Sequence, residues 1–570
     1  MTALVAALGH GGALGWLCTV VVAGAGLASG VRWLRVAQRE HYVAGSVSRF
    51  ALRWWRSSPL NAALATSALA GAVASGFVPG AALVCAVAVT VGPVGLRWRG
   101  TSAPLVLTRR LRTLGATWVV LEVMVVAAGV ALGAGPVVAA LVASCTPVVV
   151  DGALALTAPL EGLVGRRFVD RAAQRLRQVA PMVVAITGSY GKTSTKGYVG
   201  HLVAGARTVV TSPASFNNRA GLARTINEQL VPGTEVFVAE MGTFGPGEIA
   251  DLCRWVPPDI SVITAIGPVH LERFGSEERI VAAKSEILVR APVVVLMVDD
   301  PRLAEVADRC QAAGKVVWRC GTRRESEVGG TEPCGARAAD EAVAAEAVGG
   351  TEPCGARGAD EAVAAAARAS ATTGRGERGV VAVAGSGGMT VWAAGQLVAE
   401  DVGCSAQPSN VACAVAVALE LGVPAAEIAA RLAGLPVAAH RLEVTEAVSG
   451  SVVLDDTYNA NPAGAAAALE RLAASGGSGA RRVVVTPGMV ELGRRQRAEN
   501  ERFAAAAAAV ATDVVVVGRT NRRALVAGAR RGRATVHLAS TRAAAVAWVR
   551  GVLGPGDVVL YENDLPDHYP

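Results

Sequence analysis

The chain has 570 residues, more than one hydrophobic core normally holds, so two or three domains are expected. Its formal charge of +8 is uneven, because residues 1–180 contain 16 Arg and 5 Asp or Glu (16 − 5 = +11), which leaves −3 for the rest. The basic excess lies in an apolar region, which favours anionic lipid headgroups as the counter-charge and disfavours nucleic acid as a partner. The 10 Cys residues form no CxxC pair, which argues against a zinc site or a disulfide framework.

The first 160 residues are predicted to form a multi-span helical membrane region with about five transmembrane helices. Arg clusters follow the first, third and fifth apolar stretches, and basic loops remain in the cytoplasm. We therefore expect a multi-pass protein of the cell membrane with its N-terminus outside and its catalytic domains in the cytoplasm. Residues 161–180 are expected to be a basic cytoplasmic linker. The predicted spans are 12–31, 60–78, 80–96, 114–134 and 136–158.

Two acidic residues, Glu122 and Asp151, fall within or near these spans. Intramembrane acids usually face protein or water and are often functional. A position close to the membrane interface explains them equally well, and both interpretations stay open.

Residues 183–196 have the order of strand, glycine loop and helix that a phosphate-binding loop requires. The apolar run VVAI is followed by TGSYGKTSTK, which begins at Thr187. Glycines let backbone N–H groups approach phosphate oxygens, and the helix N-terminus adds partial positive charge. Lys192 is predicted to contact the β- and γ-phosphates, and the Thr193 hydroxyl to bind Mg²⁺. Ile186 occupies the position at which strict GxxxxGK spacing would place a glycine.

Further polar residues follow the next apolar runs. Glu240 ends the run VFVA, and His270 follows ITAIGPV. The carboxyl ends of parallel strands meet at one edge of an open sheet, where ligands bind, so both side chains are expected beside the phosphate loop. Lys284 comes later and is one of only 4 Lys in the chain, which hints that a primary amine is needed there.

These motifs, in this order, resemble the Mur ligase family, closest to its MurF branch. The matching segments are TGSYGKTSTK, SFNNRAGLA, EMGTFGPGEI, IGPVHLERFGS, AKSEIL, HRLE and DDTYNANP. The resemblance covers about 181–565 apart from an insert. The expected fold class is thus the multi-span helical membrane region followed by α/β domains, and the resemblance implies the latter: a P-loop central ATP-binding domain at 181–437 with a repetitive insert at 321–376, and a doubly wound α/β C-terminal domain at 438–570. Valine-rich runs that alternate with Ala-rich helical stretches in the last region agree with this fold.

The resemblance also implies an active site. One Mg²⁺ would be held by Thr193 and Glu240, and a second by His270 and a carbamylated Lys284. Catalysis would rest on Lys192, Glu240, His270 and Lys284. The substrate carboxylate would attack the γ-phosphate, and an amine would displace phosphate from the acyl-phosphate. The residues implied in ATP binding are Gly188, Ser189, Tyr190, Gly191, Lys192, Thr193, Ser194, Asn217, Arg441 and Asp456.

Four departures from the family pattern predict altered substrate recognition. Membrane spans replace the UDP-sugar-binding domain, Met297 replaces the usual Asn, and segments 407–410 and 561–566 differ from the usual His-containing and Lys-Gly-Ser motifs. We expect carboxylate and amine substrates of cell-envelope type, with lipid-linked or polymeric acceptors included. Two alternatives stay open: a polymer ligase like poly-γ-glutamate synthase, and a non-catalytic ATP-binding membrane regulator. No role is predicted for the tandem 20-residue repeat at 328–367.

Overall fold

The computed structural model describes most of the chain in eleven segments. They are 12–56, 58–96, 105–213, 216–269, 271–324, 378–385, 388–404, 406–436, 442–458, 460–477 and 479–565. The tandem repeat at 328–367, His270 and Arg441 lie outside the described residues.

The N-terminal part consists of helices packed on one another. Three of the described helices are long and apolar enough to cross a membrane: α1, α5 and α7. The bounds are α1 Ala13–Arg39, α2 Ser46–Arg56, α3 Pro59–Ala74, α4 Ala82–Val91, α5 Arg109–Ala131, α6 Gly135–Ser144 and α7 Thr146–Val179.

The second and third predicted spans are shorter than expected. α3 has 16 residues and α4 has 10, preceded by a short 3-10 turn at Pro79–Ala81. At 1.5 Å per residue α3 is about 24 Å long, less than the ~30 Å of a bilayer core. Pro59 starts α3, and α4 ends before Gly92, so backbone breakers limit both helices.

The fifth predicted span is divided at Cys145, where α6 ends and α7 begins. Pro147 lies in the first turn of α7, where its missing N–H costs nothing, and this fixes the start of the helix. α7 then runs for 34 residues through the predicted linker. Val150 packs among the N-terminal helices and Leu176 packs in the core of the next domain. Residues 161–179 are therefore helical and connect the N-terminal helices to the middle domain.

Asp151 and Glu122 have different surroundings in this helical part. The Asp151 carboxylate accepts the backbone N–H groups of Gly45 and Ser48 at 2.9 and 2.8 Å, so it caps the start of α2. This contact supports a structural role for Asp151. Glu122 is buried beside Gly26 of α1, where an added Cβ would lie 2.5 Å from its carboxylate.

The middle domain is built on a nine-stranded sheet in the order β2-β3-β1-β4-β5-β6-β7-β8-β9. Pairing is parallel from β2 to β7 and antiparallel for β8 and β9. The strands are β1 Met182–Thr187, β2 Val209–Thr211, β3 Val236–Glu240, β4 Ile260–Ile263, β5 Val293–Met297, β6 Val316–Arg324, β7 Arg378–Ala384, β8 Met389–Ala393 and β9 Gln396–Val402. The helices are α8 Lys192–Val203, α9 Arg219–Gln229, α10 Glu248–Trp255, α11 Leu271–Phe274, α12 Glu277–Ser285, α13 Pro301–Ala312, α14 Pro408–Glu420 and α15 Ala425–Leu432.

The predicted insert joins two strands that pair in parallel, β6 and β7. It was expected to begin at residue 321, but β6 continues to Arg324, because residues 318–324 pair with 378–384. The insert therefore leaves the middle domain from the end of a sheet strand.

The C-terminal domain has a six-stranded sheet in the order β10-β11-β15-β12-β13-β14, parallel except for β10. Helices cover it, as predicted for a doubly wound fold. The strands are β10 Glu443–Glu446, β11 Val452–Asp456, β12 Arg482–Thr486, β13 Asp513–Val517, β14 Thr535–Ala539 and β15 Val558–Glu562. The helices are α16 Pro462–Ala474, α17 Gln496–Val510, α18 Arg522–Ala529 and α19 Arg542–Val552.

Candidate active site at the phosphate loop

The loop between β1 and α8 has a backbone that only glycine adopts easily. Gly191 has φ +77° and Gly188 has φ +153°. A Cβ on Gly191 would lie 2.0 Å from Oδ1 of Asn410, and one on Gly188 would lie 2.1 Å from Oγ1 of Thr264. Both glycines are therefore required by conformation and by space, and the loop is clamped between α14 and the end of β4.

Two of the four lysines meet at this loop. Lys192 donates to the Gly188 carbonyl at 2.7 Å, and Lys284, on α12, donates to the same oxygen at 3.0 Å. Lys284 is 5% exposed. Its burial, with the nearby charge of Lys192, holds the pKa of the Lys284 amine well below its ordinary value. The chain thus places a buried amine that favours the neutral form against the phosphate loop.

Glu240, at the end of β3, is the centre of a buried polar cluster. Its Oε2 accepts hydrogen bonds from Thr193 Oγ1 and Lys196 Nζ, both at 3.0 Å, and its Oε1 accepts one from Asn217 Nδ2 at 3.1 Å. The Glu240 backbone N–H donates to Ser212 Oγ at 3.1 Å. Thr193 and Glu240, expected to share a metal ion, are therefore in direct contact.

The protonation of Glu240 follows from this cluster. Burial alone would raise the pKa of its carboxyl. The charges of Lys196 and Lys192 and the Asn217 hydrogen bond outweigh the burial and hold the pKa below its ordinary value. Glu240 is therefore an anionic oxygen donor at neutral pH.

The remaining predicted residues are distributed over the two α/β domains. Ser189 Oγ donates to the Gly267 carbonyl at 3.1 Å and accepts its N–H at 2.9 Å, which ties the loop to the segment before His270. Tyr190 is largely buried with its ring against Gly267, and burial raises the pKa of its phenol. Ser194 lies half-buried on α8. Asp456 lies in the C-terminal domain, at the end of β11, where it accepts the Leu442 N–H at 3.2 Å.

Sequence reasoning did not identify three residues of this site. Lys196 forms the ion pair with Glu240, Asn410 lies against Gly191, and Thr264 donates to the Tyr190 carbonyl. The scarcity of lysine in the chain was a usable signal for Lys196. Asn410 and Thr264 carried no comparable signal, because each contact joins segments far apart in sequence.

Both α/β domains contact each other close to this site. Glu277, at the start of α12, forms ion pairs with Arg302 of the middle domain and with Arg495 of the C-terminal domain. The Glu272 N–H donates to the Glu491 carbonyl at 3.5 Å. The helix that carries Lys284 at one end therefore meets the C-terminal domain at the other.

Comparison with known proteins agrees with this arrangement. The family model for the Mur ligase middle domain matches residues 186–336, and that for the Mur ligase glutamate ligase domain matches residues 440–561. UDP-N-acetylmuramoyl-tripeptide--D-alanyl-D-alanine ligase of Mycobacterium leprae is 34% identical over 399 residues, which are 66% of this chain and 70% of that protein. The chain belongs to the Mur ligase family. The ligase of the same name from Mycobacterium tuberculosis is 32% identical over 401 residues.

Solved structures of Mur ligases share the fold. MurF from Acinetobacter baumannii has a TM-score of 0.52 at 22% identity, covering 70% of this chain and 77% of that one. The Thermotoga maritima MurF ligase, solved in complex with ADP, has a TM-score of 0.51 at 24% identity, covering 70% and 80%. The predicted family and fold class are thus confirmed. This MurF-like Mur ligase has helices in place of a UDP-binding domain before its middle domain.

Proposed function

We propose that this Mur ligase joins a carboxylate to an amine through an acyl-phosphate, at the cytoplasmic face of a membrane. The observation that carries this proposal is the meeting of Lys192, Glu240 and Lys284 around one glycine loop. In the first step an oxygen of the substrate carboxylate attacks the γ-phosphorus of ATP, and ADP leaves. In the second, the amine attacks the acyl carbon, inorganic phosphate leaves, and the amine loses a proton.

ATP would lie on the loop between β1 and α8. The N–H groups at the start of α8 and the Lys192 ammonium would stabilise the phosphate oxygens. Lys192 would exchange its contact with the Gly188 carbonyl for the phosphates. Arg441 and Asp456 would contact the nucleotide from the C-terminal domain, and the ADP complex of the Thermotoga maritima relative supports nucleotide binding by this fold.

The donor set beside the loop fits Mg²⁺, a hard cation that prefers oxygen ligands. Thr193 and Glu240 supply a hydroxyl and an ionised carboxylate in contact. His270 and Lys284 are the proposed residues for a second ion. Bound there, Mg²⁺ would neutralise the charge that develops on the transferred phosphoryl group. Lys196 and Asn217 would orient the Glu240 carboxylate.

Lys284 fits the proposed carbamylation. An amine must be neutral to attack CO₂, and burial beside Lys192 favours the neutral amine. The nitrogen forms a bond to the carbon of CO₂ and loses a proton, which leaves an anionic carbamate. An arginine could not take this role, because its guanidinium stays protonated.

A membrane location is supported by the surface of the N-terminal helices. Large apolar side chains face outward on the three long helices, such as Val20 on α1, Met124 on α5 and Leu156 on α7, each 63% exposed. Such surfaces are typical of contact with lipid. The C-terminal end of α7 enters the middle domain, and His41, which follows α1, contacts Phe244 there. We propose that this side is cytoplasmic and that α1 begins outside.

The relatives point to peptidoglycan precursors as substrates, since their names specify UDP-N-acetylmuramoyl-tripeptide and D-alanyl-D-alanine. We propose a muramoyl-peptide carboxylate and a D-alanyl-type amine. The carboxylate substrate would be lipid-linked, because helices precede the middle domain and, under this proposal, hold the chain at a membrane.

The test is phosphate release by the full chain in lipid nanodiscs. Candidate pairs of carboxylate and amine include soluble and lipid-linked muramoyl peptides, glutamate, and D-Ala-D-Ala. The proposal expects release only when both partners are present. Polymer formation from glutamate alone would favour a polyglutamate synthase, and ATP binding without stimulated release by any pair would contradict the ligase.

A further inference from the structure

A cleft of about 1580 Å³ lies between the two α/β domains, beside the site described above. One wall is the α11–α12 region, and the other is formed by the loops that precede α17 and α18 of the C-terminal domain. Glu277 lines the cleft at the start of α12, and Lys284 is seven residues further on the same helix, about 10 Å away at 1.5 Å per residue. A molecule bound in the cleft is therefore within reach of the phosphate loop.

The C-terminal wall carries an excess of arginine. Arg495 and Arg497 are ion-paired with Glu277 and Glu501. The other arginines on this wall are exposed, and the described residues provide no ion-pair partner for them. These three are Arg494, Arg519 and Arg523, here called the arginine triad.

The opposite wall does not neutralise this charge. Of its three carboxylates, Glu272 is ion-paired with Arg53 at 3.2 Å, and Glu277 also contacts Arg302. Glu278 is the one acidic residue of the cleft for which the described residues provide no ion-pair partner. The cleft thus has a net positive charge that a bound anion would balance.

The loop that carries part of the triad is held in place. Asn521 is 5% exposed and donates to the carbonyls of Pro487 and Met489 at 3.1 and 3.0 Å. It also accepts a hydrogen bond from Gln496 at 2.9 Å. Arg519 and Arg523 flank this fixed residue, so their backbone is pre-organised. Guanidinium groups offer several N–H donors in a fork that fits phosphate oxygens.

The cleft also lies next to the helical N-terminal part. Arg53, on α2, reaches Glu272 on the cleft wall, and the neighbouring Arg273 lies over the Phe244 ring at 5.0 Å. The His41 ring lies 5.1 Å from the same phenylalanine. The ends of α1 and α2 therefore contact the segment that forms this wall.

We propose that the arginine triad binds the diphosphate ester of the carboxylate substrate. This inference rests on the proposed function and names the part of the substrate that the missing UDP-binding domain would otherwise hold. A substrate bound by its diphosphate must extend at least about 10 Å along α12 to bring its carboxylate to Lys284. A sugar with a short peptide has that reach. The position beside α1 and α2 favours a lipid-linked diphosphate over a soluble nucleotide.

The first experiment measures binding without turnover. The full chain carrying Lys192→Ala, which weakens the ATP site, is placed in zwitterionic nanodiscs. One probe is a polyprenyl diphosphate in the disc, and the other is UDP in solution. Adding R494A, R519A and R523A is expected to weaken binding of the lipid probe by about 100-fold, since several charge-assisted hydrogen bonds are lost. The matched control is R530A with R533A, two exposed arginines of the same domain outside the cleft.

Each outcome decides the proposal. If the triad variant binds the lipid probe more weakly and the control variant does not, a lipid source is supported. If the triad variant binds UDP more weakly but binds the lipid probe as before, the diphosphate site is supported with a soluble source. Equal binding by the triad variant and its parent, or equal losses in the triad variant and the control, would overturn it.

A second measurement separates this proposal from the proposed function. With Lys192 intact, the triad variant is expected to raise KM for the diphosphate substrate while KM for ATP and the rate at saturation stay near those of the parent. Triad-dependent binding of a probe without ligation by any substrate pair would refute the ligase and leave the anion site. Ligation with an unchanged KM would refute the anion site and leave the ligase.

Discussion

Lys196 Nζ lies 3.0 Å from Glu240 Oε2, and the two side chains are only 6% and 2% exposed. Removing one partner of a buried ion pair leaves an uncompensated charge, which costs about 3–5 kcal/mol. The pair therefore orients Glu240 and keeps it ionised, and the carboxylate in turn contacts Thr193.

Lys196→Met is expected to lower both the apparent Mg²⁺ affinity and phosphate release by about 10–100-fold, because Glu240 loses the charge that orients it. Mg²⁺ titration of phosphate release gives both quantities. Thermal unfolding should show a loss of stability that the double variant Lys196→Met with Glu240→Gln partly recovers, while activity stays low. An unchanged Mg²⁺ dependence in the single variant would show that the pair has no part in the site.

Lys284→Ala is expected to reduce turnover to background, because alanine cannot form a carbamate. Short carboxylates such as formate should restore part of the rate of the variant. Removal of CO₂ should slow the wild-type protein. Lys315→Ala is the matched control, since Lys315 donates to the backbone carbonyl of Ala291 away from the loop. Full activity of the Lys284 variant, or an equal effect of CO₂ removal on it, would contradict the assignment.

Gly191→Ala is expected to weaken binding of an ATP analogue by about 10-fold or more, since a left-handed conformation costs an alanine about 1–2 kcal/mol and the new Cβ meets Asn410. Adding Asn410→Ala should recover the steric part of the loss only. Gly477→Ala has open space around its Cβ and serves as the control. Tight binding by the Gly191 variant would place the nucleotide elsewhere.

Asp513 provides a pH-dependent contribution to the stability of the C-terminal domain. Burial would raise its pKa, but hydrogen bonds from Arg481, His537 and Thr512 outweigh it and lower the pKa from 3.8 to about 2. Because the folded pKa is the lower one, the stabilisation is present above about pH 4 and is lost as the pH falls through about 2.

Asp513→Asn should therefore destabilise the domain by about 1–3 kcal/mol near neutral pH, and less as the pH falls from 4 to 2. Calorimetry of the full chain across that range measures the difference. Asp308→Asn, at an exposed ion pair with Arg319, should change little at any pH. If the difference in free energy of unfolding between wild type and Asp513→Asn stays constant down to pH 2, the role of the carboxylate is contradicted.

The loop and its polar neighbours could be predicted because their signals are local. Apolar runs ended at Thr187 and Glu240, and the ends of parallel strands share one edge of the sheet. The pairing of Lys196 with Glu240 spans 44 positions and depends on how α8 packs on β3, which periodicity does not specify. The same limit explains why Asn410 was not identified.

The N-terminal helices show a second limit of prediction from sequence. Hydropathy located the apolar stretches, but helix ends depend on backbone breakers and tertiary capping. Hydropathy alone could not show that Asp151 caps α2 or that α7 continues from the apolar region into the middle domain. A change from apolar to basic residues at about 161 suggested a linker, although the sequence remains compatible with a helix.

An acyl-phosphate intermediate transfers one oxygen of the acid to inorganic phosphate, and this transfer can be followed with an isotope. The carboxylate of a lipid-linked muramoyl peptide is labelled with ¹⁸O and incubated with the full chain, ATP and D-Ala-D-Ala, and the released phosphate is analysed by mass spectrometry. An acyl-phosphate route predicts one labelled oxygen in each phosphate released in step with amide formation. Unlabelled phosphate released at the same rate would contradict an acyl-phosphate intermediate.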